Sequence, residues 1–225
     1  MAVRALVIAN ANDLDSGFVG DRFRSHGYAF TECHRESPGD WPRLDGHELV
    51  LLLGSEWSVY WPHIADEVGA EVALVQEAHR RGMPLFAICF GAQVVAHALG
   101  GSVQRAVEPE VGWYDVDTDA PSAIASGPWL QWHYDSFTAP PGFTELARSP
   151  VGPQAIRLGR TFAVQFHPEA TESMLVRWTA QGADELVRMG KDPQSVLDDS
   201  RRHTAESRPN AGRLVDWFCA EVAGE

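Results

Sequence analysis

Short apolar runs separated by turns dominate the first hundred residues of the chain. Four runs have the length and composition of buried strands: Arg4–Ala9, Tyr28–His34, Glu48–Leu53 and Pro84–Ile88. Between them, apolar residues recur at helical spacing over Phe18–His26 and Ile64–Arg81. Each of these two stretches is followed by a glycine, Gly27 or Gly82, which is a common helix stop. Strands that alternate with helices predict an open, mostly parallel α/β sheet with helices on both faces.

The pattern changes after Gly101. Six short strands separated by Gly and Pro turns are predicted at Ser102–Val107, Gly112–Val116, Trp129–His133, Phe143–Arg148, Gln154–Leu158 and Thr161–Phe166. They predict an antiparallel extension of the sheet. From Thr171 onward the chain is predicted to be largely helical, with Pro193 in the first turn of one helix. We expect one domain over residues 1–225, with a core at about 1–182 and a C-terminal helical segment at 183–225.

Composition narrows the classes of protein that fit this pattern. The 225 residues are 44% hydrophobic and carry a net charge of -13, which argues against nucleic acid or an anionic membrane as a partner. No apolar run approaches a membrane span, and the start lacks a signal-peptide pattern, so a cytoplasmic location is expected. The three widely spaced cysteines, Cys33, Cys89 and Cys219, predict neither a disulfide framework nor a metal site, and no cofactor is expected.

The chemistry-bearing stretch of the first half is Met83–Gly101. Cys89 stands between the apolar strand Pro84–Ile88 and a helical segment predicted over Gln93–Leu99. A strand that turns abruptly into a helix exposes its corner side chain and points the first helix amides at a ligand. Such a corner presents a nucleophile, and the small neighbours Ala87 and Gly91 leave room for the turn. The alternative is an inert core cysteine, which is the ordinary fate of a thiol after an apolar strand.

A second stretch, Phe162–Ala170, favours the reactive interpretation. Its apolar strand ends in His167, Pro168 and Glu169. Side chains two apart on an extended segment point the same way, so the imidazole and the carboxylate could act as a base and its orienter. A thiol brought alongside by the fold would complete a catalytic set.

These stretches resemble the class I (triad-type) glutamine amidotransferases, in particular the domain of GMP synthase and its stand-alone relatives. Ala87–Gln93 resembles the G-x-C-x-G-x-Q elbow of that family, and Gln165–Glu169 resembles its Q-x-H-P-E segment. Leu53–Ser55 stands where the family has a glycine-rich oxyanion loop, and Gln131–Phe137 resembles a W-H-x-D segment. The likeness implies a flavodoxin-like architecture.

The resemblance also implies roles for individual residues. Cys89 would attack the side-chain amide of glutamine, His167 would transfer protons, and Glu169 would orient the ring. The oxyanion would be held by the backbone amides of Phe90 and of Ser55 or Gly54.

Recognition of the amino-acid end of the substrate is implied for a further set of side chains. Gln93 would help to hold glutamine, and Asp135 could pair with its α-ammonium group. Trp132 and His133 would shape the same wall, although His133 could equally be a hydrogen-bonded structural histidine. His97, a competing base, is expected to point into packing.

Two departures from the family pattern affect these implications. Ala87 replaces the first glycine of the elbow. The oxyanion loop has one glycine, Gly54, followed by Ser55 and Glu56, where the family generally has two glycines. Because of these departures, the sequence does not fix the geometry of the oxyanion donors or the range of substrates.

Three functions fit the sequence. The first is a glutaminase that releases ammonia for a separate ammonia-accepting synthase. The second is a γ-glutamyl hydrolase for γ-glutamyl amines or peptides, for which the aromatic loop Trp57–Trp61 offers room. The third is a regulatory module that keeps the fold without catalysis.

Overall fold

The computed structural model describes residues 3–224. The strands are β1 Val3–Ala9, β2 Tyr28–His34, β3 Leu49–Leu52, β4 Leu85–Ile88, β5 Val103–Tyr114, β6 Asp117–Thr118, β7 Trp129–Phe137, β8 Thr144–Ser149, β9 Gly152–Leu158 and β10 Thr161–Val164. The helices are α1 Gly17–Ser25, α2 Ala65–Arg80, α3 Phe90–Ala98, α4 Glu172–Gln181, α5 Ala183–Arg188 and α6 Pro193–Trp217. The ends of the predicted 1–225 domain, residues 1, 2 and 225, lie outside the described residues.

Eight strands form the main sheet, in the order β2-β1-β3-β4-β10-β9-β8-β6. The strands from β2 to β10 run parallel, and β9, β8 and β6 add an antiparallel edge. Every residue of β3, β4 and β10 is buried, as expected for parallel strands that are covered on both faces. The predicted α/β architecture with an antiparallel extension is confirmed, but the strand expected over Thr161–Phe166 belongs to the parallel part of the sheet, since β10 runs parallel to β4.

Helices cover the two faces of the sheet with separate apolar layers. On one face, Phe23 of α1 packs with Leu214 of α6 and with Phe86 of β4. On the other face, Val75 of α2 and Val95 of α3 pack against the opposite sides of the same strands. Among residues 3–224, no helix is long and apolar enough to span a membrane.

The pairing of β4 with β10 brings the two motif stretches together. These parallel strands end side by side, with Ile88 opposite Val164. The Cys89 N–H donates to the Val164 carbonyl at 2.8 Å. The residue after each strand therefore emerges at the same edge of the sheet, which is where α/β folds bind ligands.

Several predicted strand boundaries are wrong. The strands expected at Ser102–Val107 and Gly112–Val116 form one strand, β5, which pairs with β7 in a separate two-stranded sheet. The pairing register shifts between Arg105 and Glu110. Pro109 lies in this interval and lacks a backbone donor, so the ladder is interrupted where the sequence indicated two strands.

Three other boundaries also shift. The strand predicted over Trp129–His133 continues to Phe137, and the one predicted to end at Phe166 ends at Val164. The elbow helix begins at Phe90 rather than at Gln93, because the Gln93 N–H donates to the Cys89 carbonyl and closes a helical turn.

Candidate active site

Cys89 occupies a strained corner between β4 and α3. Its backbone φ is 51°, and among residues 3–224 no other non-glycine residue has a positive φ. Gly91 allows the corner to form, because a Cβ at that position would lie 2.7 Å from the Leu52 carbonyl oxygen. Cys89 is 3% exposed, so the expectation of an exposed corner side chain is wrong, although this residue does line a cavity. The predicted strand-to-helix elbow is therefore present, and its small residue has a steric reason.

His167 and Glu169 form a buried pair just beyond β10. His167 Nδ1 lies 2.7 Å from Glu169 Oε1, and since a carboxylate only accepts, the ring nitrogen is the donor. The backbone is held at both ends of the pair: the His167 N–H donates to the Leu130 carbonyl at 2.8 Å, and the Phe18 N–H donates to the Glu169 carbonyl at 3.0 Å. The pair is therefore fixed by β7 and by the start of α1.

The thiol and the imidazole meet beside Gly54. A Cβ on Gly54 would lie 3.0 Å from His167 Cε1 and 3.6 Å from Cys89 Cβ. Glycine at this position therefore lets the loop after β3 approach both side chains. Within the described part of the chain, His167 Nε2 and Glu169 Oε2 are buried and have no hydrogen-bond partner. These two atoms are free to contact a substrate or a water molecule.

The protonation of His167 is set by opposing influences. Burial disfavours the charged ring, whereas the negative charges of Glu169 and Cys89 favour it. The balance raises the pKa of His167 well above its ordinary value of 6.5. The protonated form of the His167 ring is therefore the one that this environment favours.

Two glutamines connect the sulfur to the helix after the elbow. Gln165 Nε2 donates to Cys89 Sγ at 3.5 Å, and Gln93 Nε2 donates to Gln165 Oε1 at 3.3 Å. Cys89 Sγ also lies 3.9 Å from the Trp132 carbonyl oxygen. Gln93 therefore lies in the site, and one of its amide donors is used to orient Gln165.

A cavity of about 440 Å³ opens above these groups. Nine of the predicted site residues line it: Gly54, Ser55, Cys89, Gln93, Trp132, His133, Asp135, His167 and Glu169. The tenth, Phe90, has a fully buried ring. Its N–H belongs to the first turn of α3, where backbone donors lack helical partners.

Asp135 and His133 have different surroundings within this cavity. Asp135 accepts from Ser58 Oγ at 2.5 Å and from Tyr60 Oη at 2.7 Å, so its carboxylate is held at the wall. The two ring nitrogens of His133 lie 2.9 Å from the Asp135 carbonyl oxygen and 3.0 Å from Glu110 Oε2. Both nitrogens are occupied, which favours the structural alternative for His133.

The elbow helix and the aromatic loop hold three further residues that the sequence analysis singled out. His97 is exposed on α3, so the expectation that it points into packing is wrong. Trp57 and Trp61 of the aromatic loop do line the cavity. In residues 3–224, no cluster of three or more His, Cys, Asp or Glu side chains could hold a metal ion.

Several residues near the site were not foreseen. Trp178 packs edge-on against the His167 ring, with 4.9 Å between ring centroids. Arg105 lines the cavity and lies opposite Asp135 in the β5–β7 pairing. Only the pairing register brings Arg105 there, and a lone exposed arginine in a strand gives no signal in the sequence.

This fold, with a cysteine at a strand-to-helix corner beside a histidine–carboxylate pair, is typical of cysteine-dependent amidotransferases. The family model for class-I glutamine amidotransferases matches residues 61–176, and the chain belongs to this family. The predicted family and the predicted class of enzyme are confirmed.

Known relatives agree with this assignment. The chain is 37% identical over 143 residues to a GMP synthase [glutamine-hydrolyzing] of Xanthomonas campestris pv. campestris (strain B100), which covers 57% of this chain and 26% of the relative. The corresponding protein of Aeropyrum pernix is 36% identical over 181 residues, which covers 74% of this chain and 33% of the relative. The chain thus spans about a quarter to a third of the length of these relatives.

A solved structure resembles the whole fold. The crystal structure of a glutamine amidotransferase from Thermotoga maritima superposes with a TM-score of 0.87 at 27% identity. The superposition covers 97% of this chain and 98% of that one.

Proposed function

We propose that the chain hydrolyses the side-chain amide of L-glutamine through a γ-glutamyl thioester on Cys89. The products are glutamate and ammonia. The observation that carries this proposal is the meeting of Cys89 with the His167–Glu169 pair beside Gly54. We further propose that residues 1–225 act as a single catalytic domain.

The first half of the reaction forms the thioester. The Cys89 thiolate attacks the amide carbon, and the carbonyl oxygen becomes an oxyanion. Protonated His167 then donates its Nε2 proton to the leaving nitrogen, so that ammonia departs as the C–N bond breaks. The raised pKa of His167 supports its role as the acid of this step.

The second half releases glutamate. Neutral His167 removes a proton from a water molecule, which attacks the thioester carbon and expels the Cys89 thiolate. Glu169 keeps Nδ1 protonated throughout, so that Nε2 is the nitrogen that exchanges protons. The buried and unpaired Nε2 supports this assignment.

Two backbone amides are the proposed oxyanion donors. One is the Phe90 N–H in the first turn of α3, and the other is the Ser55 N–H in the loop after β3. Gly54 takes the close-approach position of this loop. Loss of one such donor typically raises the barrier by about 3 kcal/mol.

The substrate's amino-acid end is proposed to lie at the β5–β7 wall. Asp135 would accept from the α-ammonium group, since its carboxylate is already oriented by Ser58 and Tyr60. Arg105, its cross-strand neighbour, would bind the α-carboxylate. Gln93, Trp132 and His133 would complete this part of the cavity.

We infer that the ammonia is used by a separate acceptor synthase. The support is the name of the relatives, GMP synthase [glutamine-hydrolyzing], of which this chain covers a limited part. Affinity purification from the native host tests this inference. A co-purifying protein that increases glutamine turnover is the expected result, and turnover that is unchanged by every co-purifying protein would contradict it.

The catalytic proposal is tested by measuring glutamate and ammonia from glutamine with the wild-type chain and with Cys89→Ala. Equal amounts of both products are expected from the wild type and essentially none from the variant. Product release that survives the substitution would exclude Cys89 as the nucleophile. An inert wild-type Cys89 would instead support the non-catalytic alternative.

A γ-glutamyl amine hydrolase is the second candidate, and the size of the cavity favours it. Its volume of about 440 Å³ lies in the range of pockets for drug-sized ligands, and Trp57 and Trp61 line it. The test is a panel of γ-glutamyl amines and peptides beside glutamine. If glutamine is turned over as well as any conjugate, this candidate fails.

A further inference from the structure

Arg35 is a fully buried arginine beneath the loop after β3. It follows the carboxyl end of β2, and its side chain is 0% exposed. Its charge is balanced by Glu71 of α2, which is also 0% exposed. Burying a charged pair is costly unless every hydrogen bond is made, so such a pair requires an explanation.

All five guanidinium donors of Arg35 have acceptors. Nε and Nη2 donate to the two Glu71 carboxylate oxygens at 2.9 and 3.2 Å. Nη1 donates to Asn10 Oδ1 at 2.6 Å and to the Gly54 carbonyl at 3.1 Å. Nη2 also donates to the Leu53 carbonyl at 3.0 Å. Two consecutive carbonyls of the loop are therefore held by one rigid planar group.

The bond to Gly54 fixes the direction of the next amide. The peptide between Gly54 and Ser55 is planar, and its C=O and N–H point in opposite directions. Because the Gly54 carbonyl points at Arg35, the Ser55 N–H points away from Arg35. Among the described residues, the Ser55 N–H has no hydrogen-bond acceptor.

Arg35 also contacts the other proposed donor. Its guanidinium carbon lies 4.8 Å from the centroid of the Phe90 ring, which is a cation–π distance. Phe90 is the first residue of α3. One side chain therefore contacts the Phe90 ring and the carbonyl of the Gly54–Ser55 peptide, and these two units carry the proposed oxyanion donors.

We propose that Arg35 is a positioning residue that sets the orientation of the Gly54–Ser55 peptide and so builds the oxyanion site. This inference rests on the proposed function. The buried guanidinium supplies the orientation, because it holds the two consecutive carbonyls of Leu53 and Gly54. Glu71 balances the charge of Arg35 and holds its plane.

The test is the double variant Arg35→Met/Glu71→Met, which removes both charges together and leaves neither unpaired. Its crystal structure is the first readout, because the peptide orientation does not depend on turnover. We expect the Gly54–Ser55 peptide to differ in orientation from the wild type. An unchanged orientation of the Gly54–Ser55 peptide would overturn the proposal. This outcome can be read even if the wild-type chain proves to have no glutaminase activity.

Kinetics supply the second readout. We expect kcat to fall about 10- to 100-fold with little change in KM, because an oxyanion donor acts mainly in the transition state. Alkylation of Cys89 by iodoacetamide forms no oxyanion, so its rate should remain within about twofold of the wild type. An unchanged kcat, or an alkylation rate that falls in parallel with kcat, would overturn the proposal.

Val75→Ala is the matched control for lost stability. Val75 is fully buried on α2, one turn beyond Glu71. Its apolar side chain cannot form a hydrogen bond with the oxyanion loop. The Val75→Ala variant should have a lower melting temperature and an unchanged kcat.

If the double variant does not fold, Arg35→Lys replaces it, since one ammonium cannot reproduce the planar fork of five donors. The same fall in kcat at an unchanged alkylation rate is expected, and an unchanged kcat would overturn the proposal.

Discussion

Two buried pairs of opposite charge, Arg35–Glu71 and His167–Glu169, differ in how completely they are hydrogen-bonded. Every guanidinium donor of Arg35 is used, by Glu71, by Asn10 and by the loop carbonyls. In the His167–Glu169 pair, one ring nitrogen and one carboxylate oxygen have no partner among the described residues.

The difference separates a pair that holds structure from a pair that can react. A buried polar group without a partner is destabilising, so it persists only where folding or function compensates for it. Arg35 and Glu71 have no free atom with which to bind a substrate. His167 has one, and it lies at the cavity that Cys89 also lines.

The largest effect is expected from removing the reactive nitrogen. His167→Gln should lower kcat by about 10⁴-fold, because proton transfer to the leaving ammonia and from the attacking water is lost. His97→Gln is the matched control, since His97 is an exposed histidine on α3. Steady-state glutaminase assays of both variants measure the effect. Equal activity of the two variants would show that His167 is not the acid or the base.

The next effect concerns stability. Arg35→Met leaves the buried Glu71 charge without a partner and should lower the free energy of unfolding by about 3–5 kcal/mol. Arg35→Met/Glu71→Met removes that charge too and should be less destabilised than the single variant. Urea unfolding of the wild type and of both variants provides the comparison. A double variant less stable than the single one would contradict the idea of a charge-balanced pair.

Glu169→Gln tests the orienting carboxylate. It should lower kcat by about 10²-fold, because the amide holds the ring less well and does not stabilise its charge. The expected pH dependence has a definite sign. The charge of Glu169 is one cause of the raised pKa of His167, so its loss lowers that pKa.

The alkaline limb of the kcat/KM profile should therefore move to lower pH in Glu169→Gln. His167 also links stability to pH, since a raised folded-state pKa gives stability that is complete below the unfolded value of about 6.5 and is lost as pH rises through the folded value. The pH profiles of both proteins measure the shift. An alkaline limb at the same pH in both would show that Glu169 does not control the protonation of His167.

The smallest effect on turnover is expected at Gly54. In Gly54→Ala, the new methyl group would lie 3.0 Å from His167 Cε1, so the ring must shift by a few tenths of an ångström. A fall in kcat of about tenfold is expected from this misplacement. Gly69→Ala on α2 is the control, because its methyl group meets nothing within 4 Å. Full activity of Gly54→Ala would contradict the close contact between the loop at Gly54 and the His167 ring.

Cys89 and the His167–Glu169 pair could be predicted from the sequence as candidate reactive groups, because they lie in two short segments. Cys89 follows an apolar strand and precedes a helix, and His167 is two residues from Glu169. Apolar periodicity predicts that a strand precedes each of these segments. It does not predict the parallel pairing of β4 with β10, because Thr161–Phe166 is predicted to lie in the antiparallel extension. The steric role of Gly91 could be predicted for the same local reason.

The Arg35–Glu71 pair could not be predicted in this way. Arg35 and Glu71 are 36 positions apart, and each is a charged residue of the kind that is ordinarily exposed. Only the order of β2, β1 and β3 in the sheet and the packing of α2 bring them together. The exposure of His97 was missed because α3 is apolar on almost every side, so its sequence does not identify the face that meets solvent.

The central claim is that Cys89 is the nucleophile of this site, and peptide mass spectrometry after treatment with 6-diazo-5-oxo-L-norleucine, an electrophilic glutamine analogue, tests it most directly. One label per chain is expected on the Cys89 peptide, with slower labelling when glutamine is present and none on Cys33 or Cys219. An unlabelled Cys89, or equal labelling of the three cysteines that glutamine does not slow, would contradict the claim.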